Sequence, residues 1–173
     1  FEEMIDVGKK QVALEKRQAR KWFTKTARSH PKAKADLVSI EALPAQAVSM
    51  RAKVSDLTVL PSIAAQADGF WSSARDAALF HSGRPVLVMP KGAEGPIGET
   101  VVIAWKESVE AVRAVAAAEP FLAKAKQIKL VSVTQDGEDE SAAAMADYLR
   151  KSGLRVELVT LAAETREAGE LLL

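Results

Sequence analysis

Few residues in this chain have types and spacings that could do chemistry. His81 precedes Ser82 and Gly83, which sets a base beside a hydroxyl. Acyl transfer also needs an acid to orient that base and donors for an oxyanion. No acidic partner stands at a fixed spacing, and a histidine in the last turn of a helix also suits the helix dipole. Four carboxylates crowd at Asp136, Glu138, Asp139 and Glu140. Their spacing lacks the alternating pattern and distal glutamate of a calcium loop, so they read as a loop entering a helix N-terminus. The chain has no cysteine, and its two histidines, His30 and His81, are far apart. Disulfides, thiolate catalysis and cysteine-based zinc sites are excluded, and no metal site is expected. With no nucleophile–base–acid constellation, the chain is not expected to be an enzyme.

Charge is uneven along the chain although the net charge is only +1. Residues 1–35 hold 10 basic and 4 acidic side chains, and residues 135–173 hold 4 basic and 9 acidic ones. A basic helical stripe is a phosphate-binding feature. No groove-reading motif accompanies this one, so it reads as a solvated face and a nucleic-acid partner is not expected. The opposite charges of the two ends favour a domain or subunit contact that salt would weaken.

The elements that must position these residues follow from periodicity. Residues 1–29 read as one helix, with Phe1, Ile5, Gly8, Val12, Ala19, Trp22, Phe23 and Thr26 on one face. Lys9, Lys10, Lys16, Arg17, Arg20, Lys21, Lys25 and Arg28 lie on the other, and His30-Pro31 ends the helix. Residues 37–43 read as a strand, and Pro44 opens a helix through Lys53. Residues 57–60 are a short apolar strand, 72–82 a helix with Gly83 as its C-terminal cap, and 85–90 a strand stopped by Pro90. The glycine-rich stretch 91–98 reads as a linker. Strand 100–105 follows, then a helix capped by Ser108, with Glu110 in its first turn, running to about 126 with a kink at Pro120. Residues 127–133 and 155–161 are strands. Between them lies a helix capped by Ser141 and ended by Gly153, and a last helix begins near Thr165. Several strands are apolar on both faces, as parallel strands covered on both sides are. The expectation is an α/β fold of right-handed βαβ units.

The composition, 48% hydrophobic and 27% charged, is that of a globular chain. No apolar run approaches the roughly 20 residues of a membrane helix. The start, FEEMIDVGKK, has no signal-peptide pattern, and a cytoplasmic location is expected. The chain begins at Phe1 and stops at Leu173 within a helix pattern, which reads as a segment of a longer protein.

Two stretches carry a resemblance. ARDAALFHSGRPVLVMP (74–90) is similar to the closing helix and strand of a universal stress protein domain. ETVVIAWKESVEAVRAVAAAEPFLAKAKQIKLVSV (99–133) is similar to the opening strand, helix and strand of a second one. The resemblance implies a parallel, Rossmann-like sheet and two incomplete tandem domains, 1–94 and 95–173. The family's strand order is 3-2-1-4-5, so the first domain would lack strands one and two, and the second strands four and five. Strand 57–60 would then have an open edge. One way to close it is a permuted sheet running 155–161, 127–133, 100–105, 57–60, 85–90.

The family's ATP loop follows its fourth strand as G-x-x-G, nine residues, then G-S or G-T. After 57–60 stand Pro61 and a lone Gly69, so the first domain is expected not to bind ATP. Gly92-Ala93-Glu94-Gly95 matches the first half, but it follows the fifth strand, and Trp105 stands at the later glycine position. It reads as linker. ATP binding is left only to a loop beyond Leu173. After strand 100–105 the family often has an acidic residue, glycine and serine near the ribose. Here Lys106, Glu107 and Ser108 hold those places, which argues against a nucleotide. The crevice that the resemblance implies at the carboxyl ends of the strands would be lined by Ala104, Trp105, Lys106, Ser108 and Val133. Trp22 is expected in the core, Trp105 in core or crevice, and Trp71 over an interface. The family commonly dimerises through its last strand, which makes Val86 and Val88 the expected dimer strand. The expected function is that of a stress-response module acting by ligand or partner binding. The alternatives are an ATP-binding form with slow hydrolysis and an α/β enzyme of another class.

Overall fold

The computed structural model describes residues 2–62, 69–93, 95–135 and 137–162. The readings that involve Phe1, Glu94, Asp136 and the helix from Thr165 lie outside the described residues. The chain packs as two units, Phe1–Leu43 and Pro44–Leu173. The expected boundary near residue 94 falls inside the second unit, between its two sheets.

The first unit is one long helix, α1 (Glu2–Ser29), followed by a turn at 31–32 and a segment without regular secondary structure. The ring of His30 lies 3.0 Å from the Thr26 carbonyl at the helix end, and Lys16 Nζ reaches Glu41 Oε1 at 3.4 Å. The strand expected at 37–43 does not form. Leu37, Val38, Ile40 and Leu43 are all exposed, and no strand lies beside them among the described residues. A strand exists only by pairing, and β-propensity without a partner leaves extended coil. Trp22, expected in the core, is 69% exposed. Phe23, Thr26 and Ala27 are half-buried. Within its unit α1 has only residues 30–43 to pack on, too little for a helix about 42 Å long.

The second unit opens with α2 (Pro44–Lys53), β1 (Thr58–Pro61), α3 (Gly69–His81) and β2 (Val86–Met89). Helices α2 and α3 pack through small side chains: Ala52, Ala74, Ala77 and Ala78 are all buried. Gly83 has φ +65°, the left-handed geometry expected of a C-terminal cap. The Ser82 hydroxyl donates to the Ala78 carbonyl and accepts from Arg84 N at 3.0 Å. Arg84 Nε donates to the Lys53 carbonyl at 3.3 Å, tying the turn to the end of α2. Strands β1 and β2 are parallel, with Thr58 opposite Val86 and Leu60 opposite Val88.

The rest of the unit is β3 (Thr100–Trp105), α4 (Val109–Ala117), α5 (Glu119–Leu122), β4 (Gln127–Thr134), α6 (Glu140–Lys151) and β5 (Val156–Ala162). These strands form a parallel sheet in the order β3-β4-β5. The local orders match those expected for 85–90 beside 57–60 and for 155–161, 127–133, 100–105. The fold is α/β with parallel strands in open sheets. The permuted five-stranded sheet is corrected: β1 pairs with β2, β3 pairs with β4, and no ladder joins β1 to β3. Among the described residues each sheet keeps open edges. An open edge costs little where water can reach its backbone, so nothing forces the two sheets to merge.

The sheet's helix-covered face is set by register. Val101, Ile103 and Trp105 stand opposite Ile128, Leu130 and Ser132, which stand opposite Val156, Leu158 and Thr160. The core lies on this face, where Ile128 and Leu130 meet Val115, Leu122, Ala142, Ala146 and Leu149. The other face is open at β3, where Val102 is 57% exposed and Ala104 is exposed. The uniformly apolar strand was expected to be covered on both faces; among the described residues helices cover one. The helix expected to reach residue 126 breaks at Ala118, and Pro120 lies in the first turn of α5, where its missing N–H is tolerated. No helix is long and apolar enough to cross a membrane among the described residues.

Candidate functional site

Strand β3 ends at Trp105, and the chain leaves the sheet through Lys106, Glu107 and Ser108. Ser108 caps α4 as expected. Its backbone is extended, and its Oγ accepts from Ala111 N at 3.1 Å. Glu110 adds a negative charge in the first turn, where the helix dipole favours it. Lys106 and Glu107 are exposed.

Trp105 turns onto the helix-covered face and is buried. Its Nε1–H donates to Ser141 Oγ at 3.0 Å. The Ser141 hydroxyl donates to Asp139 Oδ1 at 2.7 Å, and the same oxygen accepts from Ala142 N at 2.9 Å. Asp139, not Ser141, is therefore the N-cap of α6. The cap expected at Ser141 is thereby corrected by two residues. The Ser141 hydroxyl is held between indole and carboxylate, and a carboxylate at the cap also meets the helix dipole. Partial burial raises the affinity of Asp139 for a proton. The Ser141 hydroxyl, the Ala142 amide, the Ser132 hydroxyl nearby and the Ser141 amide outweigh it, so the carboxyl titrates below its usual value of 3.8.

Ser132 faces Trp105 across the ladder and is 1% exposed. Its Oγ has no hydrogen-bond partner at bonding geometry among the described residues, and neither has Thr134 Oγ1 two residues on. The carboxyl ends of β3 and β4 thus hold a tryptophan, two serines, a threonine and a charged aspartate. Of these groups only Trp105 was expected there. The Asp139–Ser141–Ser132 part was missed because the acidic run 136–140 reads as a solvated loop, and Ser132 sits in an apolar strand pattern that gives no sign of its burial.

The five residues expected to line a crevice share this end of the sheet but not one face. Trp105 is on the helix-covered face. Ala104 is on the other face, as is half-buried Val133, which stands opposite Leu161. Lys106 and Ser108 follow β3. Of the five, Trp105 is buried with its indole N–H on Ser141, Ser108 Oγ is engaged in the cap of α4, and Lys106 is exposed. His81 is exposed at the end of α3, with no carboxylate bonded to its ring among the described residues. No group of three or more metal-ligating side chains occurs among the described residues.

At the other candidate, β2, Val86 is half-buried and Val88 is 41% exposed. Strand β1 lies on one side of β2, and no strand lies on the other among the described residues. Compared with known proteins, the chain matches no family model and no curated protein.

Proposed function

We propose that this protein is a universal-stress-protein-like module that acts by binding a ligand or partner, without catalytic turnover, as a cytoplasmic homodimer joined through β2. The observation that carries the reading is β2 itself. It is a short parallel strand with one paired edge and, among the described residues, one open edge, and with apolar Val88 presented to solvent. An exposed edge of this kind is a template for a second strand. The resemblance of residues 74–90 supplies the second copy as the partner. The ligand-linked part of the function belongs to the carboxyl ends of β3 and β4, where Lys106 and Ser108 stand near Trp105 in the chain. Lys106 in place of a ribose-binding carboxylate argues against a nucleotide there. An ATP-binding form would need its phosphate loop beyond Leu173.

Sedimentation velocity of the wild type and of Val88→Lys tests the dimer. The wild type should sediment as a dimer and the variant as a folded monomer with unchanged far-ultraviolet circular dichroism. A wild-type monomer, or a variant that remains dimeric, would remove β2 as the joint.

A further inference from the structure

We infer that the basic face of α1 is a docking surface for the phosphate backbone of duplex nucleic acid. Arg17, Arg20, Lys21, Lys25 and Arg28 recur at spacings of three and four, and with Thr24 and Ser29 they line a shallow concavity of about 640 Å³. Both hydroxyls are turned back to the helix: Thr24 Oγ1 donates to the Arg20 carbonyl and Ser29 Oγ to the Lys25 carbonyl. The side chains that line the surface are thus five cations and two hydroxyls, with no carboxylate among them. None of the five cations is ion-paired among the described residues. The nearby carboxylates are engaged elsewhere, since Glu41 meets Lys16 and Glu15 accepts from Gln11.

The pattern is costly for a free helix. Arg17 stands three and four residues from Arg20 and Lys21, Lys21 four from Lys25, and Lys25 three from Arg28. Neighbours at these spacings repel when their charges are alike, and an exposed helix gains by alternating signs. A run with no acid in it fits a partner that supplies the negative charge. From Arg17 to Arg28 the helix rises about 16 Å, and one strand of a duplex presents about five phosphates over that length. Five cations along one line match that repeat. Three of them are arginines, whose planar fork bonds phosphate oxygens in pairs.

The helix geometry favours nucleic acid over a lipid surface. A membrane-lying helix sinks its apolar stripe and turns its Lys and Arg to the polar face. Here Val12, Ala19 and Phe23 lie on the side opposite the centre of the basic arc by helical spacing, so sinking that side would point the middle of the arc away from the headgroups, into water. Nothing along the arc reads bases, so binding is expected to be indifferent to sequence. This surface is independent of β2 and of the carboxyl ends of β3 and β4.

The test is fluorescence anisotropy of a labelled 20-base-pair duplex of arbitrary sequence, titrated with the full chain at several salt concentrations. Release of counterions from five phosphates gives a log–log salt slope of about −4.5, or about a 500-fold loss of affinity between 50 and 200 mM salt. The triple variant Arg17→Gln, Lys21→Gln, Arg28→Gln keeps good helix formers. It should lower the slope to about −1.8, or about a 12-fold loss, with helix content unchanged by circular dichroism. The control Lys124→Gln, Lys151→Gln, at exposed lysines elsewhere, should behave as the wild type. Four outcomes would overturn the proposal: no binding at 50 mM salt, equal weakening by the control, a dependence on duplex sequence, or tighter binding to anionic phospholipid vesicles or polyglutamate than to the duplex.

Discussion

Replacing Asp139 tests the account of the carboxyl end of the sheet. Its side chain caps α6, accepts from the Ser141 hydroxyl that holds the Trp105 indole, and is charged at neutral pH. Loss of an N-cap costs about 0.5–2 kcal/mol, and a negative charge at a helix N-terminus contributes about 0.3–1 kcal/mol. Asp139→Ala removes both and should lower stability by about 0.8–3 kcal/mol at pH 7. Asp139→Asn keeps a capping oxygen and loses only the charge, so its deficit should be about 0.3–1 kcal/mol. The sign of the pH dependence follows from the lowered carboxyl pKa. The stabilisation from ionised Asp139 is fully present above the unfolded value of 3.8. It is lost as the pH falls through the folded value. The wild type and Asp139→Asn should therefore converge in acid, while Asp139→Ala stays less stable. Urea unfolding reads this at pH 7, 4 and 2.5. Trp105 fluorescence is the probe, in a background with Trp22→Phe and Trp71→Phe. A wild-type advantage over Asp139→Asn that is the same at all three pH values would refute the charged-cap reasoning.

Two further expectations rest on the core and on one turn. Leu130 is fully buried between β3, β5 and the helices, so Leu130→Ala should cost about 2–5 kcal/mol by urea unfolding; a loss under about 1 kcal/mol would place that side chain outside the core. Gly83 has φ +65°, and a methyl group there would have open space within 4 Å. Gly83→Ala should therefore destabilise through backbone strain alone, by about 1 kcal/mol, whereas a gain in stability would mean the cap is not left-handed.

The local elements were legible in the sequence where composition and punctuation agreed. TVVIAW is bounded by a glycine-rich stretch and a serine cap, and it forms β3 with the expected ends. Pro44 opens α2, and Gly83 takes its positive φ. The failures share a cause: each needed knowledge of what lies beside a segment. LVSIEAL has the composition of a strand and forms none, because pairing and not propensity makes a strand. Trp22 lies on a helix face that reads as core, yet within its unit little chain is available to cover it. Asp139 and Ser141 are both good caps, and the choice between them depends on Trp105, more than 30 residues away in the chain. The apolar reading of β3 could not tell one covered face from two. At the candidate site, Ser108 was legible because a cap acts within four residues. The burial of Ser132 was not, because it depends on the strands either side of β4.

The central claim, binding without turnover, is tested most directly by phosphate release from ATP by the purified chain at micromolar protein and millimolar ATP with magnesium. The account predicts a rate no different from the buffer blank, and no change for Lys106→Ala or Ser108→Ala. A rate that scales with protein concentration and is lost in either variant would contradict it and make the carboxyl end of β3 a catalytic site.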